Sequence, residues 1–249
     1  MQISEEARAY EINWVIGVRK LSVLKYGKSK LKKSHSIVQN GAGINENEKR
    51  NEMKKIDLNI FKGVRPKFHP EKGRILIAEP FLQGPYFARS LILLTEYSEE
   101  GAVGFVLNKA TDVYPDEVID DLFNFNGELF IGGPVSSNSL HFLHTLGDQI
   151  PGAMKITNTI YWGGDFEQIK KLINEGKADN KSVRFFAGYS GWTAGQLESE
   201  IAEDSWIVTN LNDHQIMTGD VESIWKESLK GVGNLYKTWS KFPSDPTFN

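Results

Sequence analysis

Between Gly73 and Gly231 the apolar positions alternate between short clustered runs and a helical spacing, and each switch marks an element. Arg74 to Glu79 (RILIAE) and Ser90 to Tyr97 (SLILLTEY) are aliphatic runs that predict strands. Pro80 to Phe87 holds two prolines and a glycine and predicts a loop between them. Ser98-Glu99-Glu100-Gly101 is a short glycine-containing connector onto Ala102 to Leu107 (AVGFVL), which predicts a hairpin. Apolar residues crowd both faces of these strands, so the sheet they form is expected to be covered on both sides.

Pro115 to Phe123 (PDEVIDDLF) predicts a short helix, with Pro in its first turn and acids near its positive end. Glu128 to Ile131, Leu140 to Thr145 and Met154 to Tyr161 predict further strands; the first enters Gly132-Gly133-Pro134-Val135 and the last ends at Gly163-Gly164. Asp165 with Gln168 three residues on predicts a helix start; Phe166, Ile169, Leu172 and Ile173 follow at helical spacing, and Gly176 stops it. Val183 to Tyr189 predicts a strand leading into Gly188-Tyr189-Ser190-Gly191-Trp192-Thr193-Ala194-Gly195-Gln196-Leu197. Two large aromatics among three glycines predict a tight turn. Thr193 with Gln196 then predicts a second capped helix, with Leu197 and Ile201 inward. Trp206 to Thr209 predicts a late strand, Asp220 to Gly231 a helix, and Leu235 to Trp239 a further turn or two. The reading is α+β.

Residues 1–52 break this pattern. Arg19 to Lys33 carries seven basic residues and no acid, and Asn40 to Glu52 is polar almost throughout. Such a segment buries too little apolar surface to offset its ordering entropy. It is expected to lie outside the fold, as a disordered extension, as a basic arm, or as residues preceding a true start at Met53. Residues 53–72 then form a lead-in, 73–242 the domain and 243–249 a tail.

Composition narrows the chemistry. The chain of 249 residues has no cysteine, which removes disulfides, thiolate catalysis and Cys-ligated metals. The nearest approach to a signal-peptide core is Ile12 to Val18, which is short, preceded by acids and followed by basic residues. A cytoplasmic protein with no membrane partner is expected. Residues 1–52 carry a net charge of +4 and residues 53–249 a net of −7. That acidic body argues against nucleic acid as a partner of residues 53–249, since phosphate neutralisation supplies most such affinity.

Gly188-Tyr189-Ser190-Gly191-Trp192 lies in a strand–turn–helix setting, but a nucleophile elbow needs glycine two residues after the serine, and Trp192 stands there. His141 and His144 are three apart, which on a strand points them to opposite faces, one packed and one toward solvent. No metal site, cofactor motif or catalytic residue is assigned. What remains is three glycine turns, at Gly132-Gly133, Gly163-Gly164 and Gly188/Gly191, which would form an anion-binding nest if they converged. The expected ligand or partner rim comprises Arg89, Gly132, Gly133, Pro134, His144, Tyr189, Gly191, Trp192, Thr193 and Gln196.

Four ordered blocks carry a family resemblance: Ile75-Leu76-Ile77-Ala78-Glu79-Pro80 with Phe87-x-Arg89-Ser90; Glu100 to Lys109 (EGAVGFVLNK); Gly132-Gly133-Pro134-Val135 with Leu143-His144; and Gly188 to Trp192 through Gly195-Gln196-Leu197-Glu198. In these the chain resembles the AlgH/YqgE family of bacterial proteins, and Tyr161-Trp162-Gly163-Gly164-Asp165 with Phe242-Pro243 resembles its Bacteroidetes-type members. The resemblance implies an AlgH-like single domain: a central mixed, largely antiparallel sheet flanked by helices. It carries no catalytic residues. Family members have been described as transcriptional regulators, but nothing here reads as a helix-turn-helix, and the charge does not support the role. The expectation is a non-catalytic regulatory or interaction protein that binds a small acidic ligand or a partner protein. The rival is a hydrolase or nucleotide-dependent enzyme built on the glycine turns.

Overall fold

In the computed structural model, which describes residues 68–241, the strand-forming runs assemble into a single nine-stranded sheet. The strands are β1 (Ile75–Ala78), β2 (Leu91–Ser98), β3 (Gly101–Val106), β4 (Leu129–Ile131), β5 (Val135–His144), β6 (Met154–Lys155), β7 (Tyr161–Trp162), β8 (Val183–Thr193) and β9 (Trp206–Thr209). Their spatial order is β6-β7-β5-β8-β3-β2-β1-β9, with β4 also paired to β8. The helices are α1 (Pro115–Val118), α2 (Phe166–Asn174), α3 (Gln196–Ala202), α4 (Asp213–Thr218), α5 (Ile224–Val232) and α6 (Asn234–Trp239).

Strand β8 organises the sheet because it is long enough to serve three neighbours. Its first half pairs antiparallel with β5, from Val183 opposite His144 to Ala187 opposite Leu140. On its other edge Phe185 to Ala187 pairs with β4 in parallel, and Ser190 to Thr193 then pairs with β3. One parallel pair among antiparallel ones makes the sheet mixed. The predicted hairpin forms, with Ser98 opposite Gly101.

Alternation of side chains along the strands divides the core by face. On one face Phe142, Val183, Phe185 and Ala187 pack under Ile169, Leu172 and Ile173 of α2. Beside them Leu76, Ile92, Ala102, Trp192 and Val208 pack under Leu197 of α3. The opposite face holds an aromatic cluster in which Phe105 touches both Phe186 and Trp162. The sheet also curls until its edges meet. Asp213, at the start of α4 beyond edge strand β9, accepts from Thr157 Oγ1 (2.8 Å), Thr159 N (3.0 Å) and Thr159 Oγ1 (2.5 Å) in the β6–β7 turn.

Several elements differ from expectation. The helix at Pro115 stops after four residues, because Ile119 is already extended and Asp121 and Asn124 adopt positive φ (61° and 62°). Asn174 of α2 holds that loop, donating to Asp121 O (2.8 Å) and accepting from Phe123 N (2.7 Å). Tertiary hydrogen bonds here override a helical pattern. The run Met154 to Tyr161 is two short strands around a turn in which Thr157 Oγ1 accepts from Ile160 N (3.0 Å). Helix α4 was not expected, although its capping box, Asn212 with Gln215, is present in the sequence. The helix expected from Asp220 begins at Ile224. The readings of residues 1–52, the Met53 start and the 243–249 tail lie outside the described residues.

Candidate functional site

The expected turn does not form at Gly188: β8 runs on to Thr193, and the chain turns only at Ala194-Gly195. Gly188 instead bends the strand, with φ +66°, where the β5 register jumps between Val135 and Leu140. A Cβ on Gly132 would fall on the Gly188 carbonyl oxygen, and one on Gly133 would fall on the Tyr189 carbonyl and Ser190 Oγ. Two of the three glycine stretches therefore do converge, but on each other. Their polar groups are spent: Gly132 N donates to Ala187 O (2.9 Å), while Gly132 O accepts from Val106 N (2.9 Å) and Ser190 Oγ (3.0 Å). Ser190 is fully buried, with its one hydroxyl proton committed, so it is placed as a core residue. Gly164 packs elsewhere, against Ile150, Pro151 and Ala153. No three-way nest forms.

The histidines do face opposite sides of β5, but both are buried, which corrects the expectation of a solvent-facing ring. His144 Nδ1 accepts from Leu146 N (3.2 Å). That fixes the proton on Nε2, which donates to Gly163 O (3.1 Å). The ring stacks on Tyr161 at 5.7 Å and 15°. His141 lies among Phe105, Trp162 and Tyr189, with Ser139 Oγ 2.9 Å from its Nε2. Burial pushes both imidazoles down to about 4, so both are neutral at pH 7.

Trp192 and Thr193 also differ from their expected roles. Helix α3 is capped by Gly195 at φ 72°, not by Thr193. Half of the expected box is present, since Gln196 Oε1 accepts from Thr193 N (3.0 Å), but Gln196 is itself the first helical residue. Trp192 is buried beside Trp206, and both indole N–H groups donate to one oxygen of Glu200, at 2.9 and 2.7 Å. Gly191 sits mid-strand opposite Val103, and Pro134 is exposed just before β5.

Arg89 is not on that rim. Trp192 lies beside Ala102, whereas Arg89 precedes Leu91, whose neighbour Ile92 pairs with Val106. The four residue steps from Ala102 to Val106 separate them by roughly 13 Å, at about 3.3 Å per step. Arg89 instead meets the end of β3. Asn108 Nδ2 donates to Arg89 O (2.9 Å) and its Oδ1 accepts from Leu91 N (2.8 Å). Lys109 Nζ donates to Ala88 O (2.8 Å), and the Arg89 guanidinium, at a residue with φ 54°, stands 4.9 Å from the Trp225 ring. Burial, and then the Arg89 charge, hold the Lys109 ammonium below its usual range; burial also lowers Arg89. The Phe-x-Arg-Ser and Asn-Lys blocks, with Arg89 and Asn108 19 residues apart in sequence, thus form one half-buried cationic corner.

Sequence reasoning missed Arg184. Its guanidinium is buried, stands 4.0 Å from the Phe130 ring, and donates to Ile216 O (2.6 Å) and Leu107 O (2.5 Å). Burial pushes it down to about 10, opposed by the charge of Glu128. The signal was a lone cation inside the apolar run Val183 to Ala187. Such a group is costly unless partnered, and it ties α4 to the end of β3. Among the described residues no group of three or more His, Asp or Glu is arranged to hold a metal, and no helix is long and apolar enough to cross a membrane.

Fold and corner together define an α+β protein with one curled, mixed sheet, a closed glycine seam and a cationic corner. A family model described as AlgH-like matches residues 75–237. The chain is 47% identical over 193 residues to a UPF0301 protein of Parabacteroides distasonis, covering 77% of this chain and 98% of that one. It is 42% identical over 195 residues to a UPF0301 protein of Bacteroides thetaiotaomicron, covering 78% and 99%. The chain belongs to the AlgH-like family. Its fold is similar to that of the solution structure of AlgH from Pseudomonas aeruginosa, with TM-score 0.51, 22% identity, and coverage of 71% and 98%. A crystal structure of a Corynebacterium diphtheriae protein is also similar, with TM-score 0.62, 24% identity, and coverage of 76% and 100%.

Proposed function

We propose that this protein works by binding rather than by catalysis, as a cytoplasmic interaction protein that receives an acidic group of a partner protein at Lys109 and Arg89. The observation that carries this reading is the setting of Lys109. Its ammonium is half-buried next to a second cation, has a single carbonyl acceptor, and pairs with no carboxylate among the described residues. A desolvated like-charge neighbour opposes folding, and an incoming carboxylate relieves both costs. The loop leading to Arg89 also exposes Phe81 at 50%. The net −7 of residues 53–249 argues against DNA as the partner.

The catalytic alternative is disfavoured by the same geometry, since Ser190 and His144 are both buried with their protons committed. The test is capture of partners from source-cell lysate by full-length protein. Retention is expected to fall on the order of 30-fold with Lys109→Ala, the scale for losing one partner of a desolvated charge pair, and to weaken with salt. The variant's melting curve should stay close to that of the parent. Retention unchanged by Lys109→Ala overturns the corner as the site. Turnover in a hydrolase and nucleotidase screen that is abolished by a folded Ser190→Ala or His144→Gln variant overturns the non-catalytic reading.

A further inference from the structure

Where the curled sheet meets itself, an open cleft of about 640 Å³ lies between the lead-in to β1, the β6–β7 turn and the β9–α4 connection. Its size is in the range of small-molecule sites. Lys72 and Arg74 come from the first wall, Lys155 and Asn158 from the second, and Asn210 and Asp213 from the third.

The charges in this cleft do not cancel. Asp213 is occupied by the three donors of Thr157 and Thr159 that join the sheet edges. Glu71 pairs with Arg74, which also donates to Asn210 and lies over the Phe68 ring at 4.7 Å. Lys72 and Lys155 remain. Lys155 has the Tyr161 ring 5.9 Å away, and neither lysine pairs with a carboxylate among the described residues. Lys72, Arg74 and Lys155 thus stand against Glu71 and Asp213, three positive charges to two negative, and the two lysines without a carboxylate partner line different walls of the cleft. Asn158, from the β6–β7 turn, also lines the cleft, and its side-chain amide offers a donor suited to an anionic body.

We propose that this cleft binds a small polar dianion, bearing either a phosphate or paired carboxylates, whose charge bridges Lys72 and Lys155. Bound there, the ligand ties the β1 lead-in to the β6–β7 turn and so braces the line along which the sheet closes. The site is separate from the Lys109 corner and stands or falls independently of it.

The full-length protein, labelled with ¹⁵N, is titrated with inorganic phosphate, citrate, a nucleoside monophosphate and, as a neutral control, glucose. Saturable shifts are expected at Gly73, Asn158 and Asn210 with at least one anion and not with glucose. Phosphate and the nucleotide shifting these residues without citrate assigns the phosphate class, and the converse assigns the carboxylate class. The Lys72→Ala/Lys155→Ala double variant is expected to weaken the effective anion by at least about tenfold, the scale of two partly exposed charge contacts. Lys226→Ala, on the exposed face of α5, is the control and should not change it. Absence of saturable shifts with every anion overturns the proposal. So does equal binding of glucose, or an affinity unchanged in a double variant whose amide spectrum remains that of the folded parent.

Discussion

Between pH 6.5 and pH 4 the protein is expected to lose on the order of 6 kcal/mol of stability, about 3 from each of two buried histidines. His141 and His144 both titrate near 4 in the folded chain and near 6.5 when unfolded. Above pH 6.5 both states hold neutral rings and neither histidine contributes to the pH dependence. As the pH falls below 6.5 the unfolded chain takes up two protons that the folded chain refuses, so unfolding becomes progressively easier. The loss is complete once the folded rings also protonate, near pH 4. Typical domains have only about 5–15 kcal/mol in hand, so unfolding near pH 4–5 is expected.

Other groups act in different windows. Asp179, whose carboxylate accepts from Ser182 and Lys181, is held below its usual value, so its contribution is present above about pH 4 and lost only below it. Glu79 is raised by burial and acts in the opposite sense, favouring the fold as the pH falls toward its protonation. Urea unfolding followed by circular dichroism at pH 7, 6, 5 and 4.5 measures the slope. The slope should halve in His144→Gln, whose side-chain amide can still donate toward Gly163 O. A stability that stays level from pH 7 to 4.5 would show that the two rings are not held neutral.

Much of this architecture is legible in local pattern. The hairpin at Ser98–Gly101 and the strand Trp206–Thr209 are set by alternation and by turn residues, and both appear where the pattern places them. The errors occur where a distant partner decides. Gly188 to Thr193 reads as a turn because glycine permits one. Here Gly188 instead lets the Gly133–Ser137 backbone approach β8 closely, a use that local sequence does not distinguish from turning. The helix after Pro115 is cut short by Asn174, some fifty residues away. The candidate site divided for a similar reason. The loop before β2 makes Arg89 a cation able to reach the rim of Trp192, yet strand register sends the two to opposite ends of β3. Register also makes Lys109 the neighbour of Arg89, which nothing in the spacing of the two blocks announces.

Replacing Trp192 with alanine is expected to destabilise the fold by roughly 3–5 kcal/mol, the usual cost of emptying a buried tryptophan site. The indole is 4% exposed and meets Trp206 edge-on, with ring centroids 6.0 Å apart at 83°. Its second role is polar. Glu200 Oε2 takes the N–H of Trp192 and of Trp206, while Oε1 takes Gln196 Nε2 (2.9 Å), so one carboxylate joins β8, β9 and α3. Trp192→Phe retains most of the packing but removes one charge-assisted bond, and should cost about 1.5–3 kcal/mol in bonding alone. Arg89→Ala provides the contrast. Its contacts include a partly exposed cation–π contact with Trp225, worth about 0.5–2 kcal/mol, and on the binding reading its loss is felt in partner capture more than in the melt. Denaturant unfolding of the three variants, set beside their partner capture, separates the roles. If Arg89→Ala destabilised the fold as much as Trp192→Ala, the corner would be a structural brace, and its cations would have no claim on a partner.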